Sequence, residues 1–200
     1  MFVEKSMNLF KECSSLINVR KGQNIIQLGD QINAFYYIQK GLVKIALDTL
    51  EGKAITISLS TTGEIFGYLD YLHNQTEYTR HAIALTDTTL YSIPIEKLDD
   101  PKVKEEIIFP SMLKRLNAAN EMIFILSSMT VPERLRWLLK KLQNKKEESK
   151  IEFSLTHEEI SNILGCSRQK VSSYLSKWKK DGAISIQEGN SIILNEEKMK

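Results

Sequence analysis

Three groups of side chains in this sequence are of the types that do chemistry. The first follows Ser167: Arg168, Gln169, Lys170, Ser172, Ser173, Ser176, Lys177 and Lys179. None is acidic, and every one can donate a hydrogen bond. An arginine can pair bidentately with guanine and a glutamine with adenine, while lysines and serines suit phosphate oxygens. The second group is His73, Glu77 and His81, which recur every four residues. On a helix they would share a face and could hold a metal. The intervening Asn74-Gln75-Thr76 reads as a loop, however, so no metal site is expected. The third is the pair Cys13 and Cys166, far apart and too few for a disulfide framework. Packing in a turn accounts for Cys166, and Cys13 has no explanation at this level. No Ser-His-Asp or Cys-His spacing, GxGxxG string or P-loop occurs. The chain is therefore expected to be no enzyme and to carry no cofactor.

The donor-rich group needs a rigid element to present it, and its neighbours supply one. Thr156 and Glu159 form a T-x-x-E box, whose hydroxyl and carboxylate reciprocally satisfy the first amides of a helix. Ile160, Ile163 and Leu164 then share one face. Gly165 can take the positive φ that ends this helix. Ser167 caps a second helix, in which Val171, Tyr174, Leu175 and Trp178 form the apolar stripe, and Asp181-Gly182 stops it. Two short helices joined across Leu164–Ser167 make a helix-turn-helix. The donors are what the buried stripe leaves facing outward. An ordinary solvated face is the competing reading, but caps, turn glycine and absence of acid all agree with nucleic-acid contact.

Charge is distributed to match. The 200 residues carry a formal charge of only +2. Residues 131–182 hold 12 basic and 7 acidic side chains, and the rest of the chain is net acidic. A polyanion should thus meet the C-terminal part alone. The chain length allows two modest domains, and 42% hydrophobic content suffices for their cores. Neither a signal peptide nor an 18-residue apolar run is apparent, so a cytoplasmic protein without membrane contact is expected.

Upstream, a short helix is expected over Met1–Ile17, using Leu9, Phe10, Leu16 and Ile17. From Val19 to Ile95 the pattern is of strands: Val43, Ile45 and Leu47 alternate, as do Ile55, Ile57 and Leu59, with glycines between. Many short strands without intervening helices predict an antiparallel barrel or sandwich. Glu96–Glu106, with Pro101, reads as a connector. Beyond Pro110 a long helix carries Met112, Leu116, Ala119, Ile123 and Leu126 at steps of 4, 3, 4 and 3, a seam for a second copy or for a core. Phe124 and Ile125 make it apolar on two sides. A hinge is expected at Ser127–Thr130, then an amphipathic helix with Leu135, Leu138, Leu139 and Leu142 inward. Ile151–Phe153, Ala183–Gln187 and Ser191–Leu194 read as short strands, the last two as a hairpin wing about Glu188-Gly189-Asn190.

The run LTHEEISNILGCSRQKVSSYLSKWKKDGAI resembles the DNA-binding segment of the Crp/Fnr family of bacterial regulators. Likewise RKGQNIIQLGDQINAFYYIQKGLVKI is similar to the opening of that family's jelly-roll sensor domain, and GEIFGYLDYL to the start of its phosphate-binding cassette. The resemblance implies an α+β fold: an N-terminal antiparallel jelly roll (1–108), a dimerisation helix and hinge (109–129) and a C-terminal winged helix-turn-helix (130–200). It implies a homodimer joined through the Met112–Leu126 seam, a two-fold symmetric double-stranded DNA operator and RNA polymerase as a partner. Thr156, Ser167, Arg168, Gln169, Lys170, Ser172, Ser173 and Lys177 would contact DNA.

It also places an effector pocket at Gly67, Tyr68, Arg80, His81 and Asn120, and there this chain departs from the family. The founding member senses cyclic AMP through a glycine turn, a ribose-binding glutamate and an arginine-serine pair. Gly67 and Arg80 match, but Tyr68 replaces the glutamate and His81 the serine. Ala119, beside Asn120, cannot bond adenine by its side chain. A transcription regulator not controlled by cyclic AMP is expected. A small-molecule or redox sensor, or a scaffold, with vestigial DNA binding is the alternative. A cysteine-ligated iron–sulfur cluster needs more cysteines than Cys13.

Overall fold

Strand β3 (Ala34–Lys40) is rich in β-branched and aromatic residues, and strand β4 (Leu42–Asp48) alternates Val43, Ile45 and Leu47 along its length. In the computed structural model, residues 10, 13–50, 54–143, 150–151, 155–186, 192–195 and 198 are described. β3 and β4 are joined by Gly41 alone, yet belong to different sheets. At Gly41 φ is +121°, and a Cβ there would stand 2.9 Å from the Thr88 Cα, so only glycine lets the chain cross over.

The first sheet has the order β1-β8-β3-β6, with β1 at Ser15–Val19, β6 at Ile65–Phe66 and β8 at Thr88–Pro94. The second runs β2-β7-β4-β5, with β2 at Asn24–Ile26, β5 at Ala54–Thr61 and β7 at His81–Ala84. All pairings are antiparallel. The two sheets share a core in which Ile38, Phe66 and Leu90 from one meet Val43, Ile45 and Ala82 from the other. Each fully buried aliphatic side chain of this kind contributes ~1.5–3 kcal/mol by leaving water. The expected antiparallel roll is thus present. On β5 the apolar alternation points outward: Ile55 and Ile57 are exposed, whereas Ser60 is buried.

Two segments fold otherwise than their residue patterns predict. Leu16 and Ile17 are not helical but lie in β1, paired with Tyr91 and Leu90 of β8; residues 1–9 of the expected helix lie outside the described residues. Sheet pairing with a distant strand overrides the local helical pattern. Nor is Glu96–Glu106 a mere connector. It is helical throughout most of its length, and Leu98 and Val103, followed by Ile107 and Ile108, close one end of the core. Lys104–Ile108 forms a π-helical turn leading into the long helix Phe109–Ser128. Pro110 lacks the amide that an α-helix would need to bond four residues back, and the wider turn precedes it.

A four-residue helix α1 (Leu69–Leu72) follows β6, and the long helix α2 spans Phe109–Ser128. The chain divides into two compact units, Met1–Ala119 and Asn120–Lys200, and the division falls inside α2. The second unit adds α3 (Val131–Lys141), α4 (His157–Leu164) and α5 (Arg168–Lys180), with a small sheet of order β10-β11-β9. Its strands are β9 (Lys150–Ile151), β10 (Ile184–Ile186) and β11 (Ile192–Leu194). Leu135, Leu138, Leu139 and Leu142 are buried as their spacing predicts, with Ile160, Ile163, Leu164, Val171, Leu175 and Trp178. The wing strands β10 and β11 pair antiparallel, and residues 187–191 of the expected turn lie outside the described residues.

Candidate nucleic-acid interface and effector pocket

The helix-turn-helix is set by local bonds. The Glu159 amide donates to Thr156 Oγ1 at 3.1 Å and the Thr156 amide to Glu159 Oε2 at 2.6 Å, closing the capping box that starts α4. Gly165 sits at φ +60° and ends α4 in the left-handed conformation. Ser167 then caps α5, accepting from the Lys170 amide at 3.4 Å. Val171, Leu175 and Trp178 turn inward. Ser167, Arg168, Gln169, Lys170, Ser173 and Lys177 are left exposed, with Ser172 half-buried beside them and Thr156 exposed at the start of α4. No carboxylate stands on α5 between Arg168 and Lys180. A helix with an exposed arginine and glutamine in its first turn and cations in its last can lie along a polyanionic groove.

One arginine missed in the sequence holds this module to the end of α2. Arg134 Nη2 donates to the Leu126 carbonyl at 2.7 Å, Nε to the Met129 carbonyl at 2.9 Å and Nη1 to the Leu164 carbonyl at 3.1 Å. These carbonyls lie at the ends of α2 and α4, where a helix leaves acceptors unpaired. A second clamp joins α2 to α3: Glu121 accepts from Trp137 Nε1 at 2.9 Å and from Lys141 Nζ at 2.7 Å. Those two donors hold the Glu121 carboxyl below the usual carboxylate range. Nothing in the residue order announces either clamp, because each joins groups set side by side only by helix packing. Cys166 packs half-buried in the turn, and burial pushes its thiol up. Cys13 packs against the core cluster of the roll and donates weakly to the Phe10 carbonyl.

The five residues expected to form an effector pocket are only partly brought together. Gly67, Tyr68 and Arg80 line one cavity of the first unit, with Asp70 and Arg115, which the sequence reading did not include. Gly67 takes φ +84°, and a Cβ there would lie 3.1 Å from Ile26 and 3.2 Å from Tyr36. The cavity holds about 20 Å³, little more than one water needs. Tyr68 is wholly buried, and its hydroxyl has no hydrogen-bond partner among the described residues. Desolvation pushes that hydroxyl up to about 12, against the opposing charge of Arg115. An unpaired buried hydroxyl costs ~1–3 kcal/mol.

Arg80 is committed to Asp70, with Nη2 3.2 Å from Oδ1. Asp70 is itself buried and also accepts from Thr79 Oγ1 at 2.6 Å. His81 points elsewhere: its Nδ1 accepts from the Leu28 amide at 3.3 Å, leaving Nε2–H to meet Asp48 Oδ2 at 3.0 Å. Asn120 is exposed on α2 in the second unit. His73, Glu77 and His81 lie at the end of α1, in a bridge to Gln31, and on β7. Among the described residues no three metal-type ligands converge. The seam residues Met112, Leu116, Ala119, Ile123 and Leu126 are all exposed on the single chain, as is Phe124, whereas Ile125 is buried.

A β-roll of sensor type followed by a long helix and a winged helix-turn-helix defines a class: the DNA-binding transcription regulators that are not enzymes. Residues 16–100 match the model of the cyclic nucleotide-binding domain, and residues 133–200 that of the Crp-like helix-turn-helix domain. The chain is 30% identical over 188 residues to the anaerobic regulatory protein of Haemophilus influenzae, covering 89% of this chain and 72% of that one. It is 28% identical to the fumarate and nitrate reduction regulatory protein of Vibrio cholerae over 88% of this chain and 74% of that one. Among solved structures, FixK2 of Bradyrhizobium japonicum superposes with a TM-score of 0.78 at 18% identity, covering 93% and 95% of the two chains. The chain belongs to the Crp/Fnr family of transcription regulators. Among the described residues no helix is long and apolar enough to cross a membrane.

Proposed function

We propose that this regulator acts in the cytoplasm as a homodimer that reads a two-fold symmetric duplex, and that cyclic AMP does not control it. The observation that carries the reading is the exposed, acid-free face of α5, capped by Ser167 and opening with Arg168 and Gln169. Arg168 and Gln169 read base edges, and Thr156, Lys170, Ser172, Ser173 and Lys177 fix the phosphates. The seam on α2 joins two copies so that the two α5 helices enter major grooves one turn apart, ~34 Å. Exposed Leu116 and Ile123 support this, since apolar side chains in register at heptad spacing are unfavourable in water without a partner. RNA polymerase is the partner through which binding acts on transcription. In the pocket, Arg80 is neutralised by Asp70 and Tyr68 occupies the space beside Gly67, so neither the phosphate nor the ribose of a cyclic nucleotide finds its usual host. Selection of bound sequences from a random duplex pool tests the reading. It should return a palindrome with half-sites about ten base pairs apart, bound with steep salt dependence. Recovery of no motif, or affinity indifferent to salt, would favour a scaffold with vestigial DNA binding instead.

A further inference from the structure

We propose that Tyr68 is the resident occupant of the effector pocket: its ring takes the place of a ligand and closes this pocket to any free molecule larger than water. The inference deepens the reading above, in which the roll is the sensor part of a DNA-binding regulator. Tyr68 follows directly on the Gly67 turn, and its side chain is 0% exposed. What remains beside the ring is about 20 Å³. Arg80 Nη2 is engaged with Asp70, and Arg115 with Ser58 Oγ at 3.3 Å. Arg80 Nε is buried without a hydrogen-bond partner among the described residues, but the cavity it lines has room for little more than one water. The Tyr68 hydroxyl has no partner among the described residues, so the side chain is held by the packing of its ring and not by its polar end. Arg115, which lines the same cavity, projects from α2. A filler at Tyr68 thus shares its cavity with a side chain of the helix that carries the dimer seam, where the presence of a ligand would be felt. A protein built this way holds, without effector, the state that a relative with an open pocket reaches only on binding.

Phenol, the ring of tyrosine as a free molecule, is the probe. In the full-length chain, Tyr68→Ala should melt roughly 6–20 °C below wild type. Millimolar phenol should recover part of that loss, because an apolar cavity of about 150 Å³ accepts a single aromatic ring. Wild type should not respond. Tyr68→Phe should melt at or above wild type and should ignore phenol, since the hydroxyl it loses has no partner. Equal stabilisation of wild type and Tyr68→Ala by phenol, or a Tyr68→Ala protein indifferent to phenol, would overturn the assignment. If Tyr68→Ala does not fold, Tyr68→Leu with benzene offers the same comparison with a smaller gap. A second arm measures affinity for the selected duplex. Tyr68→Ala should bind at least tenfold more weakly and regain affinity with phenol, whereas wild type stays unchanged. Unaltered duplex affinity in a phenol-responsive Tyr68→Ala would refute the effector role. Failure of wild type to bind any duplex would sink the DNA-binding reading, with the thermal comparison still deciding who occupies the pocket.

Discussion

At the scale of single residues, Arg168 and Lys177 are both exposed on α5, on opposite sides of its axis, and are expected to do different work. Arg168 sits in the first turn of α5, where a side chain enters the groove and its fork can meet two acceptors of one guanine. Arg168→Ala should cost ~1–3 kcal/mol and relax the preference at one position of each half-site. Lys177 lies about two and a half turns on, and its ammonium suits a phosphate. Lys177→Ala should weaken all duplexes alike and lower the salt slope by about one. Competition binding against random duplex separates the two: equal losses on selected and random DNA for Arg168→Ala would remove it from base readout. The family's founding member carries a second arginine one turn along, where this chain has Ser173, so the half-site should differ from the family's best-known one.

At the scale of elements, α2 has two kinds of partner. Its exposed seam is proposed to meet a second copy. Ile123→Asp would bring two carboxylates together near the symmetry axis with no counter-charge. Light scattering should then report a monomer, circular dichroism an intact roll, and duplex affinity should fall; a persistent dimer would refute the seam. The other partner is α3, through the Glu121 clamp. Because the folded state lowers the Glu121 pKa from 4.5, its contribution is present above that value and is lost as pH falls through the lowered folded value. Glu121→Gln should therefore melt below wild type at neutral pH, by a small margin since the pair is partly exposed. The margin should vanish in acid. A difference in melting temperature that stays constant from pH 7 to 3 would show that charge is not what the clamp contributes.

For the whole molecule, the expectation is indifference to cyclic nucleotides. A ligand that moves a two-state protein from 1:99 to 99:1 needs ~5.5 kcal/mol of differential affinity. Here Arg80 is held by Asp70, Tyr68 fills the space beside Gly67, and His81 is turned to Leu28 and Asp48. Arg80 Nε, buried without a partner among the described residues, is one donor and too little to supply such a difference. Millimolar cyclic AMP or cyclic GMP should leave affinity for the selected duplex unchanged, and calorimetry should register no micromolar binding. A tenfold rise in duplex affinity with either nucleotide would overturn this.

What the sequence determined by itself is local. The Thr156–Glu159 box, the Gly165 stop and the Ser167 cap are closed by bonds that reach three or four residues, so residue order alone places α4 and α5. The inward leucines of α3 and the strands about Val43 follow from periodicities of 3.6 and 2. The tertiary structure decided whatever depends on distant partners. β1 is a strand because β8, some 70 residues on, pairs with it. Arg134 clamps two helix ends 8 and 30 residues away, and Arg115 reaches Ser58 across 57. Tyr68 could be named from its place in a motif as a departure from a nucleotide site. That its ring fills the pocket and leaves one water's volume follows only from how two sheets and a helix close around it, since volume is a property of the packed fold and not of residue order.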